Sequence, residues 1–267
     1  MSLASTSPIL KLSDLTIRFG GLTAVDRVNI SLGSNDLVGI IGPNGAGKTT
    51  IFNMVTGLYQ PSEGAIELEN SSIVGMRPAH ITQAGIARTF QNIRLFNELT
   101  VLDNVRLARH SRTSYSLLAS IFRTKGFHQE EAVIKDRAVE ILKLFKLEKK
   151  SHLLARQLPY GEQRRLEIAR ALATDPKVLL LDEPAAGMNP NETMDLAELI
   201  KWIHDEFKIA TLLIEHDMKL VMNTCQRIYV VDHGVLIAHG CPNEIQNNPK
   251  VVEAYLGTSE SSEKERS

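Results

Sequence analysis

The segment that most constrains this chain is Gly42, Pro43, Asn44, Gly45, Ala46, Gly47, Lys48, Thr49, which fills every position of the pattern G-x-x-x-x-G-K-[ST]. It follows a short apolar run, Leu37, Val38, Gly39, Ile40 and Ile41, and it precedes residues 50–56, which read as a helix. A buried strand that feeds a glycine-rich turn into a helix is a phosphate cradle. The glycines let successive backbone N–H groups converge on phosphate oxygens, and the helix N-terminus adds the positive end of its dipole. In such a cradle Lys48 reaches the β- and γ-phosphates of a nucleoside triphosphate, and the Thr49 hydroxyl ligates Mg²⁺. With strand and helix both in place, a chance glycine-rich turn is the poorer reading.

Two further apolar runs, 177–181 and 210–214, read as buried strands separated by amphipathic helices. Strand–helix alternation of this kind implies an α/β core around a parallel sheet. Upstream, Leu10, Leu12, Leu15, Ile17 and Phe19, then Val28, Ile30 and Leu32, alternate as paired strands do, which adds an antiparallel β subdomain on the N-terminal side. The middle of the chain differs. Ile134, Ala138, Ile141, Leu142 and Phe145 recur at helical spacing, so a helical subdomain is expected to be inserted in the core. The resulting division is one domain over 10–256, with an α/β core at about 10–90 and 175–240 and a helical part at about 91–174. The termini, 1–9 and 257–267, are expected to be flexible.

Charge and cysteine content narrow the function classes. Thirty Lys+Arg against thirty-one Asp+Glu leave a formal net charge of −1, so no global basic field points to nucleic acid. Two cysteines are too few for a disulfide framework, and no apolar stretch approaches the ~20 residues of a membrane-spanning helix. The first residues have neither a basic nor an apolar region of the kind a signal peptide carries. One local imbalance stands out: between 104 and 129 there is no acidic residue, while Arg106, Arg109, Arg112, Arg123 and Lys125 are basic. This reads as a solvated face or as a surface near anionic lipid or a partner's loops.

Two more strand ends carry chemistry. Leu179, Leu180, Leu181 lead into Asp182, Glu183 and Pro184. In a parallel sheet the C-terminal strand edge is where ligands bind, so both carboxylates belong on the side of the phosphate loop. Asp182 suits Mg²⁺ coordination, and Glu183 suits a general base that orients an attacking water. The run 210–214 ends in Glu215, His216 and Asp217, which puts His216 at the same edge, able to bond a γ-phosphate and hold the water and Glu183 in register.

The order of these motifs, with Gln91 and the string Leu158, Pro159, Tyr160, Gly161, Glu162, Gln163 between them, resembles the ATP-binding cassette of ABC transporters over nearly the whole chain. The resemblance implies an ATPase that binds ATP through residues 42–50, Thr50 included, with Mg²⁺ held by Thr49, Gln91 and Asp182. Phe19 matches the aromatic that stacks on adenine; a strand-core role is the alternative, and Val25 could share the stacking. Gln91 matches the residue that touches Mg²⁺ and the water and signals to the membrane partner. The string 158–163 matches the signature that opens a helix and serves the γ-phosphate bound by the opposite subunit. Pro159 stands where a serine is commoner and Tyr160 where a glycine is, so the trans contact should rest on backbone N–H groups. Gly187 and Asn189 lie in the matching D-loop, with Asn189, Pro190 and Glu192 also spelling a helix start.

Longer strings narrow the resemblance. Tyr160 and Gly161 with the run 163–170, the run 88–96, the run 183–190, the run 215–222, the enlarged helical region and the C-terminal 248–257 are similar to the cassettes of branched-chain amino-acid importers, in particular the larger of the two such importers carry. This implies a peripheral subunit on the cytoplasmic face of a bacterial inner membrane. Its partners would be a second ATPase subunit, two integral-membrane permeases and, indirectly, a periplasmic amino-acid-binding protein, with no nucleic acid. The alternatives are a cassette for other amino acids, amides or lipopolysaccharide and lipid, and a soluble regulator of the same family.

Overall fold

A computed structural model describes residues 7–110 and 125–255. The expectations for Arg112, Arg123 and the outermost residues of both termini fall outside these residues. The chain divides into two units, 1–86 with 177–267 and 87–176.

The first unit is built on two sheets. Strands β1 (Leu10–Phe19), β2 (Leu22–Leu32), β4 (Glu63–Leu68) and β5 (Ser71–Ser72) form an antiparallel sheet in the order β2-β1-β4-β5. The alternation along β1 and β2 is the cause: Leu10, Leu12, Leu15, Ile17, Val28, Ile30 and Leu32 are all buried, and polar residues between them face out. The second sheet runs β10-β9-β3-β8-β7, with β3 (Leu37–Ile41), β7 (Val178–Asp182), β8 (Ala210–Ile214) and β9 (Arg227–Asp232) parallel and β10 (Val235–Gly240) antiparallel at the edge. The short strand β6 (Ile86–Arg88) starts on the last residue of the first unit and lies beyond β7. Strands β3, β7 and β8 are buried at every position, as unbroken apolar runs between helices should be. Helices α1 (Lys48–Val55), α2 (Pro78–Ala84), α6 (Pro190–Phe207), α7 (Met218–Thr224) and α8 (Pro242–Gln246) belong to this unit, and residues 249–255 add a last helical segment. One apolar core joins β1, β2 and β4 with α1 and the parallel sheet, through residues such as Leu12, Val28, Phe52, Leu180 and Leu212.

The second unit is helical: α3 (Val101–Arg109), α4 (Lys125–Leu144) and α5 (Tyr160–Leu172). The stripe Ile134, Ala138, Ile141, Leu142 and Phe145 is buried as its spacing requires, with Val101, Val105 and Leu166 buried in the same unit. The expected fold class is thus met element for element: a parallel-sheet core, an antiparallel β portion and a helical insertion. Of the basic stretch, the described residues include Arg106 and Arg109, and both are paired with acids. Arg106 bonds Asp103 at 3.0 Å and Glu131 at 2.9 Å, and Arg109 pairs with Asp175. The neutralising acids lie outside the 104–129 window, which is why the sequence there looked unopposed.

Candidate functional site

In the parallel sheet β3 lies between β9 and β8, and β8 lies against β7, with Ile40 opposite Ile214 and Asp182 opposite Ile214 in register. The loops that leave β3, β7 and β8 therefore emerge side by side at one edge. That places the glycine-rich loop, Asp182 with Glu183, and His216 together, although Gly42 and His216 are 174 positions apart in the sequence.

The glycine-rich loop is a close fit to its neighbours. Gly42 has φ +151°, and a Cβ there would sit 1.9 Å from the Val231 carbonyl oxygen, so no side chain is possible. Gly47 (φ +102°) is the N-cap of α1, and a Cβ would meet the Ala24 carbonyl oxygen at 2.8 Å. The loop is fastened by Ala46 N–H donating to the Pro43 carbonyl (3.2 Å) and Gly234 N–H donating to the Ala46 carbonyl (3.0 Å). Helix α1 begins at Lys48, two residues earlier than its sequence pattern indicates, and has neither a side-chain cap nor an acidic residue in its first turn. Its N-terminal dipole is left to an external anion. The Lys48 ammonium donates to the carbonyls of Gly42 (2.7 Å) and Pro43 (2.8 Å). Burial pulls its pKa below the ordinary lysine value, while the Glu183 and Asp182 carboxylates counter that shift. Beside the loop a cavity of about 640 Å³ is lined by Pro43, Asn44, Gly45 and Ala46 and, from the C-terminal segment, by Lys250, Glu253 and Ala254. Tyr255 follows in that segment; its hydroxyl lies by the Gly42 backbone, and burial pushes its pKa up to about 12.

Asp182 is buried at the end of β7. Glu183 follows in a left-handed conformation (φ 44°), which turns the chain out of the sheet, and its N–H donates to the Ile214 carbonyl at 2.9 Å. His216 Nδ1 lies 3.6 Å from a Glu183 carboxylate oxygen, with the imidazole more than half exposed. Between these two loops sits a residue that the sequence reading passed over. Glu215 is fully buried; its carboxylate accepts from Ala185 N–H at 2.7 Å and from His216 N–H at 3.2 Å, and burial raises its pKa. It ties the turn after Glu183 to the turn that carries His216. The available signal was a carboxylate abutting an otherwise buried strand run.

Phe19 ends β1 about 45% exposed, with the Tyr59 ring edge-on at 5.4 Å, whereas Val25 is wholly buried. That exposure takes Phe19 out of the strand core. Gly187 (φ +78°) and Asn189 lie in the loop that leads to α6. Asn189 caps α6, accepting from the N–H groups of Asn191 (3.0 Å) and Glu192 (3.1 Å), and Glu192 returns a bond to Asn189 N–H at 3.0 Å.

The second unit holds the other candidates. Pro159 is the N-cap of α5, which has no side-chain cap, so the start of the helix presents backbone rather than a hydroxyl. Gln163 donates back to the Leu158 carbonyl at 2.8 Å, and Glu162 pairs with Lys150 at 2.6 Å. Gln91 lies exposed in the irregular segment 89–99.

Among the described residues no group of three or more His, Cys, Asp or Glu is arranged to hold a metal ion by itself, and no helix is long and apolar enough to cross a membrane. Compared with known proteins, residues 25–186 match the family described as ABC transporter, and 235–261 match the branched-chain amino acid ATP-binding cassette transporter family. The chain is 46% identical over 252 residues to the high-affinity branched-chain amino acid transport ATP-binding protein LivG of Escherichia coli K12, covering 94% of this chain and 99% of that protein. It is similar to the crystal structure of the ADP conformation of MJ1267, an ATP-binding cassette of an ABC transporter, with TM-score 0.82, 36% identity and coverage of 94% of this chain and 100% of that one. It is also similar to the dimeric post-hydrolysis structure of the cassette MJ0796 bound to ADP and Pi, with TM-score 0.72, 26% identity and coverage of 87% and 98%.

Proposed function

Because the chain belongs to the ABC transporter ATPases, an ATP-hydrolysing family, we propose that it powers the import of branched-chain amino acids as a peripheral subunit on the cytoplasmic face of a membrane. Its partners are a second cassette, identical or paralogous, two membrane permeases and, through them, an external amino-acid-binding protein. The observation that carries the solute class is the match of residues 235–261 to the branched-chain family, beside a relative of that name along nearly the full chain.

The roles within the site follow from position. Residues 42–50 cradle the phosphates through backbone N–H groups and the α1 dipole, Lys48 supplies the charge, and Phe19 offers a face for the adenine. Thr49 and Asp182 are all-oxygen donors suited to Mg²⁺, and a buried carboxylate at a strand end is stabilised by a cation; the incomplete donor set fits an ion that shares its shell with phosphate and water. When bound there, Mg²⁺ would supply positive charge against the phosphate oxygens. Glu183 accepts the proton of the attacking water, and His216 holds the γ-phosphate side of the site in register with it. Glu215 keeps the two loops at their spacing. Gln91 reports to the permease, and residues 158–163 serve the nucleotide of the partner cassette. Gly187 and Asn189 shape the loop after Glu183.

The test joins chemistry to solute. Glu183→Gln keeps size and hydrogen bonding but cannot take the proton, so it should bind Mg-ATP, slow hydrolysis by about a hundredfold or more, and accumulate as an ATP-dependent dimer in sedimentation. Cells whose only copy carries Glu183→Gln should lose uptake of labelled leucine, isoleucine and valine. Normal hydrolysis by the variant would overturn the catalytic assignment, and unimpaired uptake would overturn the solute.

A further inference from the structure

Helix α5 carries Tyr160, Arg164, Glu167 and Arg170 three or four residues apart, one stripe along its length. Arg164 is fully buried and Glu167 is 1% exposed, bonded to each other at 2.8 Å. What this stripe meets is the irregular segment around Gln91. Two nitrogens of the Arg164 guanidinium donate to successive carbonyls, Phe90 at 2.7 Å and Gln91 at 2.7 Å. The second Glu167 oxygen accepts from Arg94 N–H at 3.1 Å. The Tyr160 hydroxyl, in the signature string, lies 3.3 Å from the same guanidinium. Stacking adds to these bonds: the Phe90 ring has the Arg94 guanidinium over it at 4.2 Å, and the Phe96 ring has that of Arg170 at 5.5 Å.

A buried ion pair is a poor source of stability, since apolar residues of similar volume commonly replace one at no loss. What apolar residues cannot do is bond backbone groups in a segment that belongs to no sheet or helix. A planar fork on two consecutive carbonyls also fixes the orientation of the peptide that joins Phe90 to Gln91, which a single donor would leave free to rotate. The pair is neutral overall, and both members bond the same stretch of chain, Arg164 through two guanidinium nitrogens and Glu167 through its second oxygen.

We propose that Arg164 and Glu167 are positioning residues that lock the Gln91 segment to the signature helix, so that residues 90–94 and α5 move as one rigid piece during the ATPase cycle. A displacement of Gln91 is then a displacement of the signature residues by the same amount, with no slack between them. The lock deepens the proposed role of Gln91 and rests on it for its catalytic consequence; its mechanical content does not.

The first arm of the test uses the wild-type chain. The Arg94 amide should exchange its hydrogen at the rate of the α5 amides, and it should do so with and without nucleotide. Exchange about a hundredfold faster than α5 would overturn the lock. The second arm uses Arg164→Met with Glu167→Leu, which removes both charges and keeps the volume. ATP binding should stay within about twofold, hydrolysis should fall roughly tenfold, and Arg94 exchange should accelerate by about a hundredfold. A folded double variant with wild-type hydrolysis and exchange overturns the proposal. If that variant does not fold, Arg164→Lys, which can hold only one of the two carbonyls, should show the same two changes in smaller measure, and their absence counts against the lock. Gln91→Ala is the control for the underlying assignment. Normal hydrolysis there would refute the role of Gln91, while the exchange arms would still judge the lock.

Discussion

The sheet edge of the first unit and the segment 89–99 of the second face the same physical demand and meet it in opposite ways. Both are irregular backbone, and buried N–H and C=O groups in either must find partners. At the sheet edge backbone groups do much of this work, as in Glu183 N–H to the Ile214 carbonyl and Gly234 N–H to the Ala46 carbonyl, with Glu215 and Lys48 adding to it. In segment 89–99 side chains do it. Arg164 and Glu167 take the groups of Phe90, Gln91 and Arg94, and the fully buried Asn104 accepts from Phe96 N–H at 2.9 Å and donates to the carbonyls of Phe96 and Thr100, both at 3.0 Å. Substitution at the edge should therefore act first on nucleotide binding and chemistry, and substitution around 89–99 should first loosen the backbone.

The largest expected effect lies at the edge. Lys48→Ala removes a charge-assisted contact to phosphate, so ATP affinity should fall about a hundredfold, while the urea midpoint of the nucleotide-free protein changes little; equilibrium nucleotide binding beside a urea melt reads both. A large loss of stability would mean that the bonds from Lys48 to Gly42 and Pro43 hold the loop, and the contrast would break. Asn104→Ala should behave the other way. It leaves the Phe96 N–H without its acceptor and strips the carbonyls of Phe96 and Thr100 of their second donor, costing about 2 kcal/mol, visible in urea melts and as faster hydrogen exchange at Phe96, with hydrolysis by the remaining folded protein near normal. Unchanged stability would show that segment 89–99 does not depend on side chains. Phe19→Ala should have the smallest effect. Stacking lost equally from substrate and transition state is worth about 1 kcal/mol, a rise of roughly fivefold in KM for ATP with turnover unchanged. An unchanged KM would remove Phe19 from the site and leave the edge without its adenine face.

The legible parts of the site are those whose chemistry is contiguous in sequence. Residues 42–49 spell a loop that only one local geometry satisfies, and Asn189, Pro190 and Glu192 spell a helix start that forms as written. Strand ends were readable because the buried runs before Asp182 and Glu215 carry no charged residue. Whether Phe19 sits in the strand core was not readable, because it is an apolar residue in strand-like sequence and only packing decides whether it is covered. The acids that neutralise Arg106 and Arg109 were missed for a similar reason, since Glu131 and Asp175 approach them through folding rather than sequence spacing.

Neighbouring residues alone specify the phosphate loop, the alternation that makes a parallel sheet, the antiparallel pair of strands and the helical insertion, because each rests on local periodicity or dihedral demands. The tertiary structure alone decided which strands adjoin, and therefore that Glu183 and His216 come within 3.6 Å. It also decided what the buried charges do. Arg164, Glu167 and Glu215 appear in sequence as ordinary polar residues, and their partners are backbone groups, which every residue carries and no sequence pattern distinguishes. A bond to a carbonyl at Phe90 or an N–H at Ala185 is fixed by where the chain passes, and that is settled only when the whole core has packed.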